Sequence, residues 1–255
     1  MKIIKSITLL LFCCNCFFHA TAQNTRFSYK SFTNGKGDTL HYRLLEPDYD
    51  TSRKYPLVLF LHGSGERGND NESQLKWGVQ NFSTDEMMET YPVFVVAPQC
   101  PQGIEWANNT TRSRPIKMGS TPSKPMELTI ALIRQIIKTM PIDTNRIYIT
   151  GLSMGGIGTY DAIERYPNLF AAAVPVCGYG DTSAAKLNAH IPIWIFHGAE
   201  DPAVDLLCAN DMLQALLKAN AHPGFTLYPE TGHFSWLKAY TEKNMYEWLF
   251  RQHKN

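Results

Sequence analysis

From residue 56 onward the chain alternates between two apolar patterns. One is the unbroken run: "PLVLFL" (56–61), "VFVVAP" (93–98), "RIYIT" (146–150), "FAAAVPV" (170–176), "IPIWIF" (191–196) and "GFTLYP" (224–229). Strands apolar on both faces are what a parallel sheet covered by helices requires. The other pattern has helical spacing. Leu128, Ala131, Leu132, Gln135, Ile136 and Met140 fall at steps of three and four, as do Met212, Leu213, Leu216 and Leu217. Near the end Trp236, Tyr240, Met245, Trp248 and Leu249 continue it. This alternation predicts an α/β architecture, a mostly parallel central sheet with right-handed crossovers and helices on both faces. Ahead of it, residues 27–32 and 39–45 are strand-like and joined by "TNGKGD", whose residues suit a hairpin turn. They are expected to add antiparallel edge strands. No linker divides the pattern, so residues 23–255 are expected to form one domain.

The first residues follow a different order. Lys2 and Lys5 precede an apolar run from Ile7 to Phe18, and Ala20-Thr21-Ala22 offers a small-residue cleavage site. This is the order of a secretory signal peptide over 1–22, and the run is shorter than the roughly 20 residues a membrane span needs. A secreted or periplasmic destination with no stable membrane span is expected. A lipidated cysteine is disfavoured, because none of Cys13, Cys14 and Cys16 follows Gly or Ala. Loss of the leader would leave Cys100, Cys177 and Cys208, enough for at most one disulfide, so the fold is not a disulfide scaffold. The formal net charge of +1 points to neither nucleic acid nor an anionic membrane surface as a partner.

One stretch, "RIYITGLSMGGIGTYDAIERYP" (146–167), sets a serine among glycines where a strand should become a helix. Gly151-x-Ser153-x-Gly155 in that setting has the form of a nucleophile elbow. The turn holds the serine at the strand's C-terminal end, its neighbours must be small, and the helix start supplies free N–H groups. A serine hydroxyl is a weak nucleophile and needs a base. In this arrangement the acid and then the histidine follow the serine in the chain. His233, in "ETGHF", lies four residues after strand 224–229 and so at the same sheet edge as Ser153. His222 precedes that strand, and His253 lies in the charged tail. For the acid, Asp201 follows strand 191–196 after a turn, and Pro202 can open the next helix. Asp205 is expected inside that helix, Glu200 to point away, and His197 and Gly198 to be turn or strand-end residues.

Acyl transfer also needs donors for an oxyanion, worth roughly 3 kcal/mol each. The N–H of Met154 is one candidate. The N–H of Ser64 in "FLHGSGERGND" is the second, with Gly65 behind it. Glu66, Arg67 and Asp70 are expected to form a salt-bridge network in that loop. Gly63-x-Gly65-x-x-Gly68 also spells a dinucleotide signature, but "NDNES" opens no apolar helix and no acid ends a second strand about 20 residues on. No Walker loop, H-E-x-x-H or paired-cysteine motif occurs, so neither metal nor cofactor is expected. The irregular stretch Gln102 to Pro125 is long enough to be functional or mobile. It carries Arg112, Arg114 and Lys117, suited to an acidic or sugar-bearing leaving group.

"LHGSGERGNDN", "APQCPQGIEW", "GLSMGGIGTYD", "HGAEDPAV" and "TGHFSW", spanning residues 61 to 236, resemble the α/β-hydrolase superfamily. They are most similar to its secreted phospholipase/carboxylesterase-like and feruloyl-esterase-like (polyhydroxybutyrate-depolymerase-like) branch. The resemblance implies an α/β-hydrolase fold and a serine esterase with Ser153, Asp201 and His233 as its triad. It also implies that Trp106 borders the acyl pocket. The implied partner is a small-molecule or polysaccharide-linked ester, for example an acyl or hydroxycinnamoyl group on plant polysaccharide. A peptidase of the prolyl-oligopeptidase type and a non-catalytic binding module on the same fold are the alternatives. The chain has no room for a gating propeller, and such modules usually lose a triad member.

The leader makes a direct prediction. Expressed with its export machinery, the protein should begin near Gln23. Intact-mass measurement of the exported protein checks it, and retention of Met1 or Lys2 would contradict it.

Overall fold

The computed structural model describes residues 26–111 and 113–254. The leader expected over 1–22, its cleavage before Gln23, and Arg112 lie outside the described residues.

The apolar runs become a single eight-stranded sheet. Its strands are β1 (Phe27–Thr33), β2 (Thr39–Leu45), β3 (Tyr55–Leu61), β4 (Phe94–Pro98), β5 (Ile142–Leu152), β6 (Ala172–Val176), β7 (Trp194–Gly198) and β8 (Gly224–Tyr228), in the order β1-β2-β4-β3-β5-β6-β7-β8. The β1–β2 hairpin is antiparallel and joins β4 antiparallel, while β4 to β8 run parallel. This is the α/β-hydrolase fold. Every residue of β3 and β4 is buried, as strands covered on both faces must be.

Two strand boundaries depart from the apolar runs. β5 begins at Ile142, because the register against β3 jumps from Tyr55↔Ile142 to Leu57↔Ile147 and the strand absorbs the extra residues in an irregularity. β7 begins at Trp194, leaving Ile191 and Pro192 outside it, since proline lacks the N–H a ladder needs. It then continues through His197 and Gly198, which pair with Leu227 and Tyr228.

The helices are α1 (Asp85–Thr90), α2 (Lys124–Thr139), α3 (Met154–Arg165), α4 (Ala185–Asn188), α5 (Leu206–Lys218), α6 (Trp236–Ala239) and α7 (Lys243–Phe250). Ser123 caps α2 by accepting from Met126 N–H, and Leu128, Leu132, Ile133 and Ile136 turn inward while Gln135 faces solvent. α3 opens directly after Ser153. The C-terminal pattern breaks into α6 and α7 around Tyr240. One face of the sheet packs on α2, α3 and α5 through Met126, Leu132, Ile163 and Met212. The other packs on Tyr240, which follows α6, and on α7 through Met245 and Leu249. Cys100, Cys177 and Cys208 are buried free thiols.

The described residues of the stretch Gln102 to Pro125 are tied down. Asn109 bridges Met118 and Thr110 N–H donates to Lys117 O. Arg114 forks onto Asp211 of α5 at 2.6 and 2.9 Å, and Lys117 pairs with Asp181 at 3.2 Å. These two cations are therefore engaged by the protein itself and are not held for a leaving group.

The start of α3 is wedged into the sheet. A Cβ on Gly155 would collide with the carbonyl oxygen of Leu61 at the end of β3, and one on Gly156 with that of Val176 at the end of β6. Gly65, in the loop after β3, has open space. Gly155→Ala should therefore cost about 3 kcal/mol or more, and Gly65→Ala no more than about 0.5 kcal/mol. Urea unfolding of both variants measures this, and equal midpoints would overturn the wedge.

Candidate active site

Three strand ends bring together residues far apart in the chain. Ser153 sits between β5 and α3 with φ 53° and ψ −118°. A non-glycine residue at positive φ is strained, typically by about 1–3 kcal/mol, and persists only where its surroundings fix it. Here Ser153 N–H donates to Val176 O at 3.0 Å, and Ser153 O accepts from Ile157 N–H at 3.0 Å. The hydroxyl is 2.8 Å from His233 Nε2, and His233 Nδ1 is 2.8 Å from Asp201 Oδ2. A carboxylate only accepts, so Nδ1 carries the proton and Nε2 offers its lone pair to the serine hydroxyl.

Asp201 is oriented from behind. Its Oδ1 accepts the N–H groups of Ala203 and Val204, each at 2.9 Å. Burial pushes its carboxyl up, but His233 and these two N–H groups outweigh that and hold it below the ordinary carboxylate range. The structure separates it from its rivals. Asp205 does not lie inside a helix: it caps α5, accepting from Leu207 N–H at 2.9 Å. Pro202 lies in the bend before that cap and does not open the helix. Glu200 is exposed, as are His222 at the far end of β8 and His253.

Met154 is the first residue of α3, and the opening N–H groups of a helix have no partner within it. Ser64 begins a single 3₁₀ turn, Ser64–Glu66, closed by Glu66 N–H on Gly63 O at 3.3 Å. Gly63 lies against Leu152, the residue before Ser153. Both N–H candidates thus flank the elbow. The salt-bridge network expected in this loop is instead a set of hydrogen bonds. Asp70 accepts from Glu72 N–H, Ser73 N–H and Gln99 Nε2, and Arg67 donates to Ser64 O and Ile104 O. Glu66 is buried, which pushes its carboxyl up, and the Lys76 ammonium and the Trp77 indole offset only part of that.

Trp106 needs a correction. It is fully buried, its indole N–H donates to His62 O at 3.1 Å, and it packs against Gly158 of α3. A side chain with no free surface cannot line a pocket for an acyl group. Trp106 is an anchor that ties the start of the Gln102–Pro125 loop to the end of β3.

Sequence reasoning passed over several neighbours. Trp236 meets the His233 ring edge-on at 5.2 Å. Cys177 is buried with its thiol within 4.8 Å of ligating atoms of Asp201 and His233. His62 holds the loop after β3, its Nδ1 donating to Gly63 O at 2.6 Å and its Nε2 accepting from Cys100 N–H at 2.9 Å. The serine, histidine and aspartate form one hydrogen-bonded relay open at the serine end, and such a relay is suited to nucleophilic acyl transfer.

Comparison with known proteins agrees with this geometry. The phospholipase/carboxylesterase family profile matches residues 49–242. The crystal structure of a thermostable esterase superposes with a TM-score of 0.86 at 39% identity, covering 91% of this chain and 64% of that one. A bifunctional acetylxylan esterase/xylanase from Neocallimastix patriciarum is 29% identical over 151 residues, 59% of this chain and 20% of its own length. An acyl-protein thioesterase 1 homolog from Dictyostelium discoideum is 29% identical over 164 residues, 58% of this chain and 71% of its own. The chain thus spans a fifth of the bifunctional enzyme and just under two thirds of the thermostable esterase.

His62 links this site to stability. Burial lowers its imidazole from the ordinary 6.5 to about 4. The unfolded chain therefore binds more protons than the folded one between those values. The stability contribution is complete above about pH 6.5 and is lost as pH falls towards 4, by about 3 kcal/mol in total. Chemical denaturation from pH 7 to 4 should show that loss, and a folded His62→Gln variant should show a shallower one. Identical slopes would remove His62 as the cause.

Proposed function

This chain belongs to the phospholipase/carboxylesterase family, and we propose that it is an exported serine hydrolase cleaving carboxylic esters through an acyl-enzyme. The observation that carries this reading is the relay from Ser153 Oγ through His233 to Asp201, two contacts of 2.8 Å, with the serine held at positive φ at a strand end. His233 Nε2 takes the hydroxyl proton as Ser153 attacks the ester carbonyl. Asp201 stays ionised and supports the imidazolium. The N–H groups of Met154 and Ser64 stabilise the oxyanion. His233 then gives its proton to the departing alcohol, and water resolves the acyl-enzyme by the same steps in reverse.

The substrate class we propose is an acyl or hydroxycinnamoyl ester on plant polysaccharide. Its support is the likeness to an acetylxylan esterase/xylanase. Export rests on the basic, apolar and small-residue order of residues 2–22, and no helix among the described residues is long and apolar enough to cross a membrane.

A panel of p-nitrophenyl acetate, methyl ferulate, acetylated xylan and an aminoacyl anilide tests this reading. Ester turnover should exceed anilide turnover. In Ser153→Ala it should fall by a factor on the order of 10⁴ to 10⁶ with unchanged melting. Anilide preference would favour the peptidase alternative, and near-normal ester turnover in the folded variant would remove Ser153 from the mechanism.

A further inference from the structure

The segment carrying His233 continues directly into an aromatic cluster that the hydrolytic relay does not use. Phe234 is the next residue on the 3₁₀ turn His233–Ser235, and its side chain is 56% exposed. Its ring lies 4.7 Å from that of buried Trp236 and 6.3 Å, nearly perpendicular, from that of half-buried Trp77. Trp77 reaches this place from the segment after the Ser64–Glu66 turn, where its indole hydrogen-bonds the Glu66 carboxylate. Lys76 holds its ammonium 5.0 Å from the Trp77 ring centroid. Leu237, 52% exposed, extends the apolar surface. Large aromatic side chains left open to water at a site's rim, beside a titratable group and a cation, mark a recognition surface.

The position of this surface decides which half of an ester it faces. In the proposed mechanism His233 Nε2 must deliver a proton to the departing oxygen, so the alcohol lies against the wall that carries His233. The face of an aromatic ring is electron-rich, and the C–H groups of a pyranose ring are its complement, leaving the sugar hydroxyls free for a donor such as Lys76. We propose that the exposed ring of Phe234, with the Trp77 ring set edge-on against it, forms a stacking platform for the leaving alcohol, the pyranose ring of an esterified polysaccharide. The proposal rests on the esterase reading above and adds to it where the sugar binds. Trp236 serves differently: it is buried beneath His233 and props the imidazole.

The test holds the acyl group constant and varies the alcohol. Methyl acetate, benzyl acetate and an acetylated xylo-oligosaccharide are compared in the wild type, Phe234→Ala, Phe234→Tyr and Trp77→Phe, with methyl ferulate as the acyl-side control and thermal melting as the folding control. Phe234→Ala should raise KM for the xylo-oligosaccharide by about tenfold while leaving methyl acetate and methyl ferulate within about twofold, and Phe234→Tyr should restore it. Trp77→Phe should fall between. An equal loss on all three acetates would make Phe234 a support for His233 and overturn the platform. A loss confined to methyl ferulate would place the ring on the acyl side and overturn it too, as would no change in any substrate. If the wild type cleaves methyl and benzyl acetate but not the xylo-oligosaccharide, the polysaccharide reading fails and the pyranose assignment with it. Wild-type activity on all three, with a flat response to Phe234→Ala, overturns the platform alone.

Discussion

The first turn of α3 presses directly on the backbone of β3 and β6, and the geometry of the whole site follows from that contact. Helix and strand backbones approach this closely only where no Cβ intervenes, so Gly155 and Gly156 stand at the two points of contact, against Leu61 O and Val176 O. Ser153, caught between strand and helix, takes a positive φ that no serine adopts freely. The strain is held in place by hydrogen bonds on both sides, Ser153 N–H to Val176 O and Ile157 N–H to Ser153 O. The parallel sheet then brings the ends of β7 and β8 to the same edge. Asp201 and His233 need only short loops to reach the serine.

The loop after β3 is kept in place by polar side chains that are themselves buried. His62 satisfies both ring nitrogens in its neutral form, one on Gly63 O and one on Cys100 N–H. Gln99, at the end of β4, accepts from Asn71 N–H at 2.7 Å while donating to Asp70 at 2.7 Å. Trp106 closes the same region from below through His62 O. Buried polar groups that lack partners cost about 1–3 kcal/mol each, so a loop secured this way has few alternative arrangements. That rigidity suits a donor such as the Ser64 N–H, whose worth depends on being aimed before the charge develops.

The sheet and the neighbourhood of Ser153, Asp201 and His233 were legible in the sequence because both depend on local signals. Unbroken apolar runs mark buried strands, and chemistry-bearing residues just past their ends share an edge. Several of the misreadings concern partners remote in sequence. Arg114 and Lys117 look like free cations until α5 supplies Asp211 and the segment after β6 supplies Asp181. Trp106 looks like a pocket residue until the fold stacks it under Gly158 and His62. Asp205 falls inside a helix only if Pro202 opens it; an aspartate before "LLCAN" also fits a cap, and that is its place. The Trp77–Phe234 pairing crosses more than 150 residues and leaves no local trace.

Two histidines lie close to the Asp201 carboxylate, and burial decides between them. His197 Nε2 is 3.5 Å from Asp201 Oδ2, against 2.8 Å for His233 Nδ1. The His197 ring is fully buried on β7, and desolvation lowers its affinity for a proton. Its Nε2 lies 3.0 Å from Val204 O, which only accepts, so the N–H there is spent on the loop backbone. That bond fixes Val204, whose own N–H holds Asp201 Oδ1. His197 is thus a neutral brace for the acid loop. His233, with its side chain 18% exposed and its Nε2 on the serine hydroxyl, is the one placed for the proton transfer proposed above. The carboxylate's charge is directed to one imidazole because the other is too deeply buried to accept it.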